Sequence, residues 1–221
     1  MARKIGTIKS FLSLWEKHKD LYFSIFFKAL QQLKISDEQR NDEDAISEVL
    51  CPVLRKICYN HEYEIRTPAW EKPNQPVSPE ELRGGKIRKR PDFTCNFLNT
   101  LADSPETYEI PFHVECKRLG KKKGSWDLNK NYVTNGVKRF DSRDHEYGKR
   151  ASSGMMIGYI TNMDKTAILA EVNKNLPKYL PKLDLMFLQK VVSCEQELTR
   201  KYVKPKEFKI IHIWADLKIK V

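Results

Sequence analysis

No stretch of this sequence approaches the roughly 20 consecutive apolar residues that a membrane-spanning helix needs. The best candidate, LYFSIFF at 21–27, is far too short, so no membrane role is expected. The N-terminus lacks a signal peptide's apolar stretch followed by a small-residue cleavage site, and a cytoplasmic location is expected. Cysteine is sparse and unpatterned: Cys51, Cys58, Cys95, Cys116 and Cys194 form an odd set without a Cys-x-x-Cys pair. Neither a zinc cage nor a disulfide framework is indicated, and these residues read as reduced core cysteines. His145-Glu146 begins like a zinc-protease helix, but Lys149 stands where the second histidine would be. No phosphate-cradling Gly-x-x-x-x-Gly-Lys-Ser/Thr occurs either, and Arg83-Gly84-Gly85-Lys86 reads as a flexible basic loop. Repeats and low-complexity tracts are missing too.

What is present is basic charge, unevenly placed. The 221 residues, 40% of them hydrophobic, are enough for one compact domain with a real core. Lys and Arg number 40 against 29 Asp and Glu, a formal charge of +11. Between residues 83 and 150 alone, 16 Lys or Arg stand against 9 Asp or Glu. RGGKIRKR runs directly into Asp92, and KRLGKKK begins at Lys117. Whatever these acids act on is approached through two basic loops, and a polyanion attracted by counterion release is the natural substrate.

Periodicity gives the order of elements. Residues 8–34 carry Phe11, Leu12, Trp15, Leu21, Phe26, Leu30 and Leu33 at helical spacing and predict one or two packing helices. A second helix is expected from about 41, with polar and acidic residues at its start. Its stripe is Ile46, Val49, Leu50, Val53, Leu54 and Ile57, and Pro52 is expected to kink or divide it. A first strand is expected over 61–66, then a long proline-containing loop over 68–90. Strands follow at 90–98 and 108–118, a helix at 128–140 and a buried strand at 154–160. A helix after Asp164, ended by Pro177, and strands at 183–192 and 207–217 complete the chain. His212 reads as a packed or edge residue on the last strand.

The second and third strands carry the chemistry. Side chains alternate along a strand, so Glu115 and Lys117 share one face while Val114 and Cys116 take the other. Pro91 has no N–H to donate and suits a strand start, with Asp92 immediately after it. Two carboxylates and an ammonium can thus meet on one face, and carboxylate oxygens suit a hard cation such as Mg²⁺.

Pro91-Asp92 followed by Glu115-Cys116-Lys117, with 22 residues between the two acids, resembles the signature of the PD-(D/E)XK nuclease superfamily. The resemblance extends to NYVTNGVKRF, EYGKR and SSGMMIGYI, which look like the helix and strand following the catalytic strand in those enzymes. It implies an α/β restriction-endonuclease-like core: helix, three strands, helix, strand, with a central mixed sheet flanked by helices. The expected single domain divides into a helical extension (1–40), the catalytic core (41–162) and a C-terminal extension carrying strands (163–221). The implied activity is metal-dependent hydrolysis of phosphodiester bonds, by a DNA endonuclease of restriction or phage defence. Asp92, Glu115 and the Cys116 carbonyl would hold one or two Mg²⁺, for which Mn²⁺ can substitute, and Lys117 would act on the attacking water or the developing charge.

Such enzymes often place another acid on the first core helix. Here that is Glu43 or Glu48. At 100° per residue Glu43 falls within about 50° of the stripe's centre and Glu48 lies nearly opposite, which favours Glu43. Arg139, with Lys138 second, is the candidate phosphate contact, the alternative being an ion pair to Asp141 or Asp144. Arg88, Lys89 and Arg90 with Lys121, Lys122 and Lys123 are the expected nucleic-acid contacts, to double-stranded DNA. Without a helix-turn-helix or zinc finger, specificity would come from dimerisation, a partner subunit or DNA structure. The rival readings are a non-catalytic nucleic-acid-binding subunit and an RNA-directed nuclease.

Overall fold

The computed structural model of the chain describes residues 11–62, 65–73 and 89–218. Six strands form one mixed sheet: β1 (Ala69–Trp70), β2 (Phe93–Leu98), β3 (Glu109–Leu119), β4 (Ser153–Ile160), β5 (Val191–Thr199) and β6 (Glu207–Asp216). Their spatial order is β1-β2-β3-β4-β6-β5. The pairs β1–β2, β2–β3 and β5–β6 are antiparallel, whereas β3–β4 and β4–β6 are parallel. Every residue of β4 is buried, as befits a parallel strand covered on both faces.

Five α-helices accompany the sheet: α1 (Phe11–Gln32), α2 (Glu43–Tyr59), α3 (Pro105–Tyr108), α4 (Leu128–Thr134) and α5 (Lys165–Asn175). α1 and α2 pack on each other and on one face of the sheet. Trp15 of α1 meets Phe97 and Phe112 and donates from its indole to Ser153 Oγ at 3.1 Å. Ser47 of α2 reaches the Tyr159 hydroxyl at 3.3 Å. α4 covers the opposite face, where the Tyr132 hydroxyl lies 2.7 Å from His212 Nδ1 and accepts from Trp214 Nε1 at 3.0 Å. His212 is therefore packed between aromatic rings, and burial lowers its pKa to about 3.

Caps explain where the helices start. Asp42 accepts from Asp44 N–H at the head of α2, and Asp164 accepts from the N–H groups of Thr166 and Ala167 at the head of α5. Pro52 does not divide α2, which runs unbroken from Glu43 to Tyr59. Pro52 and Glu48, the residue whose carbonyl loses its bond there, are both exposed, so water can satisfy that carbonyl.

Three expected elements differ. Residues 128–140 form α4 and then a separate 3-10 turn, Val137–Asp141, with Asn135 and Gly136 between them. A Cβ at Gly136 would lie 2.3 Å from the Tyr132 carbonyl and 3.3 Å from Lys117 Cγ, so only glycine lets the chain break this close to the third strand. The strand expected over 61–66 falls partly outside the described residues; 65–66 are not strand, and pairing comes at Ala69–Trp70 instead. Residues 183–190 are irregular, and β5 begins only at Val191. An apolar run there packs without a ladder partner, because the β5–β6 ladder covers only residues 191–199. Among the described residues no helix is long and apolar enough to cross a membrane.

Candidate active site

The register of β2 on β3 brings the two acids together. Phe93 stands opposite Val114, so one step further Asp92 faces Glu115, and residues opposite each other in an antiparallel pair share a face. Asp92 Oδ2 accepts the Cys116 N–H at 2.5 Å, which fixes the carboxylate at the strand's mouth. Two residues on, Lys117 points the same way as Glu115 and its Nζ lies 2.7 Å from Glu115 Oε1. The same ammonium donates to Glu43 Oε1 at 2.7 Å and to the Cys116 carbonyl at 2.6 Å.

Glu43 arrives from the first position of α2 and uses both oxygens, Oε2 accepting the Arg118 N–H at 2.9 Å. Glu48 is exposed on the other side of the helix. The Arg118 guanidinium in turn donates to the Asn41 carbonyl, tying the helix start to β3. Arg139, on the 3-10 turn, donates from Nη1 to Glu115 Oε1. It pairs with neither Asp141 nor Asp144 through a salt bridge, and Lys138 is exposed beside it. Four charged groups from α2, β3 and the 3-10 turn thus close around the one from the start of β2.

Burial dominates the electrostatics. Glu115 is fully buried, and burial first, then the charge of Asp92, pushes its pKa up to about 8 against the pull of Lys117 and Arg139. Asp92 is raised to about 6, again chiefly by burial. For Lys117 burial works toward the neutral amine, but Glu115, Asp92 and Glu43 outweigh it and hold its pKa above the usual lysine value. The ammonium therefore stays charged at every ordinary pH.

Glu115 Oε2 is buried and has no hydrogen-bond partner among the described residues. At its raised pKa the carboxyl can keep a proton on that oxygen, and a hard cation that displaced the proton would satisfy the oxygen instead. Among the described residues no three His, Cys, Asp or Glu side chains are gathered as a ready-made metal cage. The donors that fit a divalent cation are Asp92, Glu115 and the Cys116 carbonyl, which here accepts from the lysine.

The basic loops flank this cluster unevenly. Arg88 lies outside the described residues. Lys89 is half-buried and Arg90 exposed. Burial first, then Arg139 and Lys89, hold the pKa of His145 down to about 4, which puts Lys89 on the Arg139 side of the site. Lys121, Lys122 and Lys123 are all exposed, and Lys122 pairs with Asp127 at 3.2 Å.

Three residues escape a reading of the sequence alone. Tyr147 is buried with its ring centre 5.9 Å from the Arg139 guanidinium. Asn129 is fully buried, accepting from Gly120 N–H and donating to Glu171 Oε2, and so shapes the turn after β3. Arg200 is buried far along the chain and donates to carbonyls of the segment that carries Arg139. Tyr147-Gly148 within EYGKR is the one local signal for any of them. No protein-family profile, curated protein or solved structure matches this chain.

Proposed function

We propose that this chain is a divalent-metal-dependent DNA endonuclease with a PD-(D/E)XK-type site on a restriction-endonuclease-like core. What carries the reading is the meeting of Asp92, Glu115, Lys117 and Glu43, drawn from three elements onto one point. The order α2, β1, β2, β3, α4, β4, with the four-residue α3 inserted between β2 and β3 and with β3 and β4 parallel, supports that reading.

Asp92, Glu115 and the Cys116 carbonyl would hold the Mg²⁺ or Mn²⁺, which when bound polarises the phosphate and makes water a better nucleophile. Glu43 and Glu115 aim the Lys117 ammonium, and Lys117 orients the attacking water or meets the negative charge that builds on the phosphate. Arginine at that position would not be equivalent, because its fork cannot pivot between two carboxylates as a compact ammonium does. Arg139 stands where a second phosphate oxygen would be held. The direct test incubates the purified protein with plasmid, linear duplex, single-stranded DNA and RNA, each with Mg²⁺, Mn²⁺ or EDTA. Cutting confined to the metal-containing DNA reactions is expected, and RNA cleavage alone would move the substrate to RNA.

Cation binding should depend on pH in a stated direction. Both acids have raised pKa values, about 6 for Asp92 and about 8 for Glu115, so at neutral pH a cation must displace a proton. Mg²⁺ affinity is expected to rise from pH 6 to pH 8 and to level above it. The same shift lowers metal-free stability as pH climbs from the ordinary carboxylate value of 4.5 through about 8, because the unfolded chain has already released the proton that the folded Glu115 keeps. Calorimetric Mg²⁺ titrations in buffers of different ionisation enthalpy check this; pH-independent affinity without proton release would remove these acids from the metal site.

Affinity for DNA should rest on the loops. Converting Lys121, Lys122 and Lys123 to alanine is expected to weaken binding to all sequences alike and to lower the slope of log affinity against log salt by roughly 0.9 per lost phosphate contact. Titrations of wild type and the triple variant at several salt concentrations measure it. An identical slope would make the run a solvated surface.

A further inference from the structure

Next to the acid cluster lies a cavity of about 610 Å³ that uses Arg139 as part of its wall. That volume is within the ~300–1,000 Å³ typical of sites for small organic groups. Arg139 also donates to Glu115, so a ligand in the cavity and a phosphate at the acids would touch the same guanidinium. Lys138 and Arg143 add two more cations to the lining, against the two carboxylates of Asp141 and Asp144. Tyr179 and Tyr202 line it as well, and they are 71% and 45% exposed.

Tyr202 is deliberately held. Both oxygens of Asp141 are occupied by backbone donors, Oδ2 by Lys201 N–H at 2.9 Å and Oδ1 by Tyr202 N–H at 2.7 Å. That acid therefore clamps the tyrosine's segment to the 3-10 turn that carries Arg139. The Arg143 guanidinium lies 4.8 Å and Lys201 Nζ 5.3 Å from the centre of the Tyr202 ring, so a base stacking on this ring takes the place of one of these cations.

Exposed aromatic faces interleaved with cations bind the bases and phosphates of an unpaired strand. A duplex offers them little, since its bases stack on one another and show only edges and backbone. We propose that this cavity holds an unpaired nucleotide of the substrate strand beside the cutting site, its base against Tyr202 and Tyr179 and its phosphate against Arg139, Lys138 and Arg143. The inference rests on the nuclease reading for the identity of the strand, and it makes the enzyme selective for DNA with a single-stranded or distorted segment next to the cut.

The test measures binding without cleavage. Fluorescence anisotropy in EDTA compares a labelled oligothymidylate of about a dozen nucleotides with a duplex of the same length, for wild type, Tyr202→Ala, Tyr179→Ala and Tyr202→Phe. Wild type should prefer the single strand. Each alanine variant should lose on the order of tenfold in affinity for it, Tyr202→Phe should keep it, and duplex affinity should not move. Should Tyr202→Ala fail to fold, Tyr179→Ala and Tyr202→Phe still decide the matter. Unchanged single-strand affinity in the folded alanine variants, or an equal loss for duplex, overturns the proposal. A protein that cuts DNA with Mg²⁺ yet binds oligothymidylate equally well without its tyrosines keeps its nuclease site and loses this pocket. Tyrosine-dependent binding in a protein that never cuts supports the pocket and removes the nuclease.

Discussion

Lys117→Met is expected to lower the single-turnover rate of DNA cleavage by about a thousandfold while leaving DNA affinity within a few-fold of wild type. Removing one donor aimed at developing charge costs ~100- to 1,000-fold, and among the described residues Lys117 is the only ammonium that reaches both Glu43 and Glu115. Affinity, on the proposed reading, would rest on the distributed basic loops. The substitution has a second signature in stability. Lys117 pulls the raised pKa of Glu115 down, so its loss raises that pKa further and the folded carboxyl keeps its proton to higher pH. The variant's deficit should be small at about pH 5 and grow as pH rises through 8. Urea unfolding of both proteins across that interval reads it, and a deficit that shrank toward alkaline pH would contradict the pairing.

Arg200→Met is expected to be the most destabilising single change in the molecule, by about 3–5 kcal/mol, a range typical of breaking a buried charged contact and stranding its partners. Arg200 is 1% exposed. It donates from Nε to the Pro205 carbonyl at 2.8 Å, from Nη1 to the carbonyls of Phe140, Tyr147 and Gly148, and from Nη2 to that of Ala151. Its guanidinium also stacks 3.9 Å from the Phe208 ring centre. Methionine fills the volume and satisfies none of these carbonyls. Because four of them belong to 140–151, the segment following Arg139, cleavage should fall along with stability. Arg200→Lys, which restores charge with fewer donors, should recover part of the stability. A denaturation midpoint for Arg200→Met within experimental error of wild type would show that the carbonyls find water instead.

How much of this was legible in the sequence follows from the range of each interaction. The alternation of VECKR and the proline before Asp92 are local, and they place three charged groups on one face without knowledge of the rest of the chain. The helical phase of Glu43 is local too, and that residue is the one that meets Lys117. Arg139 was visible as a basic side chain near the site, but its ion pair with Glu115 depends on a break at Gly136 that helical periodicity hides. The periodicity of Tyr132, Val133, Val137 and Phe140 holds through that break because all four remain buried. The start of β5 is misplaced for the converse reason: LDLMFL is apolar enough for a strand, yet whether a strand forms depends on β6 and its register. Arg200 and Tyr202 act at separations of about sixty residues from the segment they organise, and no local pattern carries that information.

The most direct measurement is cleavage of supercoiled plasmid by wild type and by Asp92→Ala, with Mg²⁺ and with EDTA. Asp92 contacts the backbone of β3 through one oxygen and is the acid whose loss would remove a proposed metal donor while leaving the Lys117 ion pairs in place. Wild type should nick and linearise the plasmid only with Mg²⁺, and Asp92→Ala should leave it supercoiled while melting cooperatively and binding DNA as before. Cutting by Asp92→Ala at the wild-type rate, or a wild type inert toward every nucleic acid with Mg²⁺ and Mn²⁺ alike, would contradict the assignment.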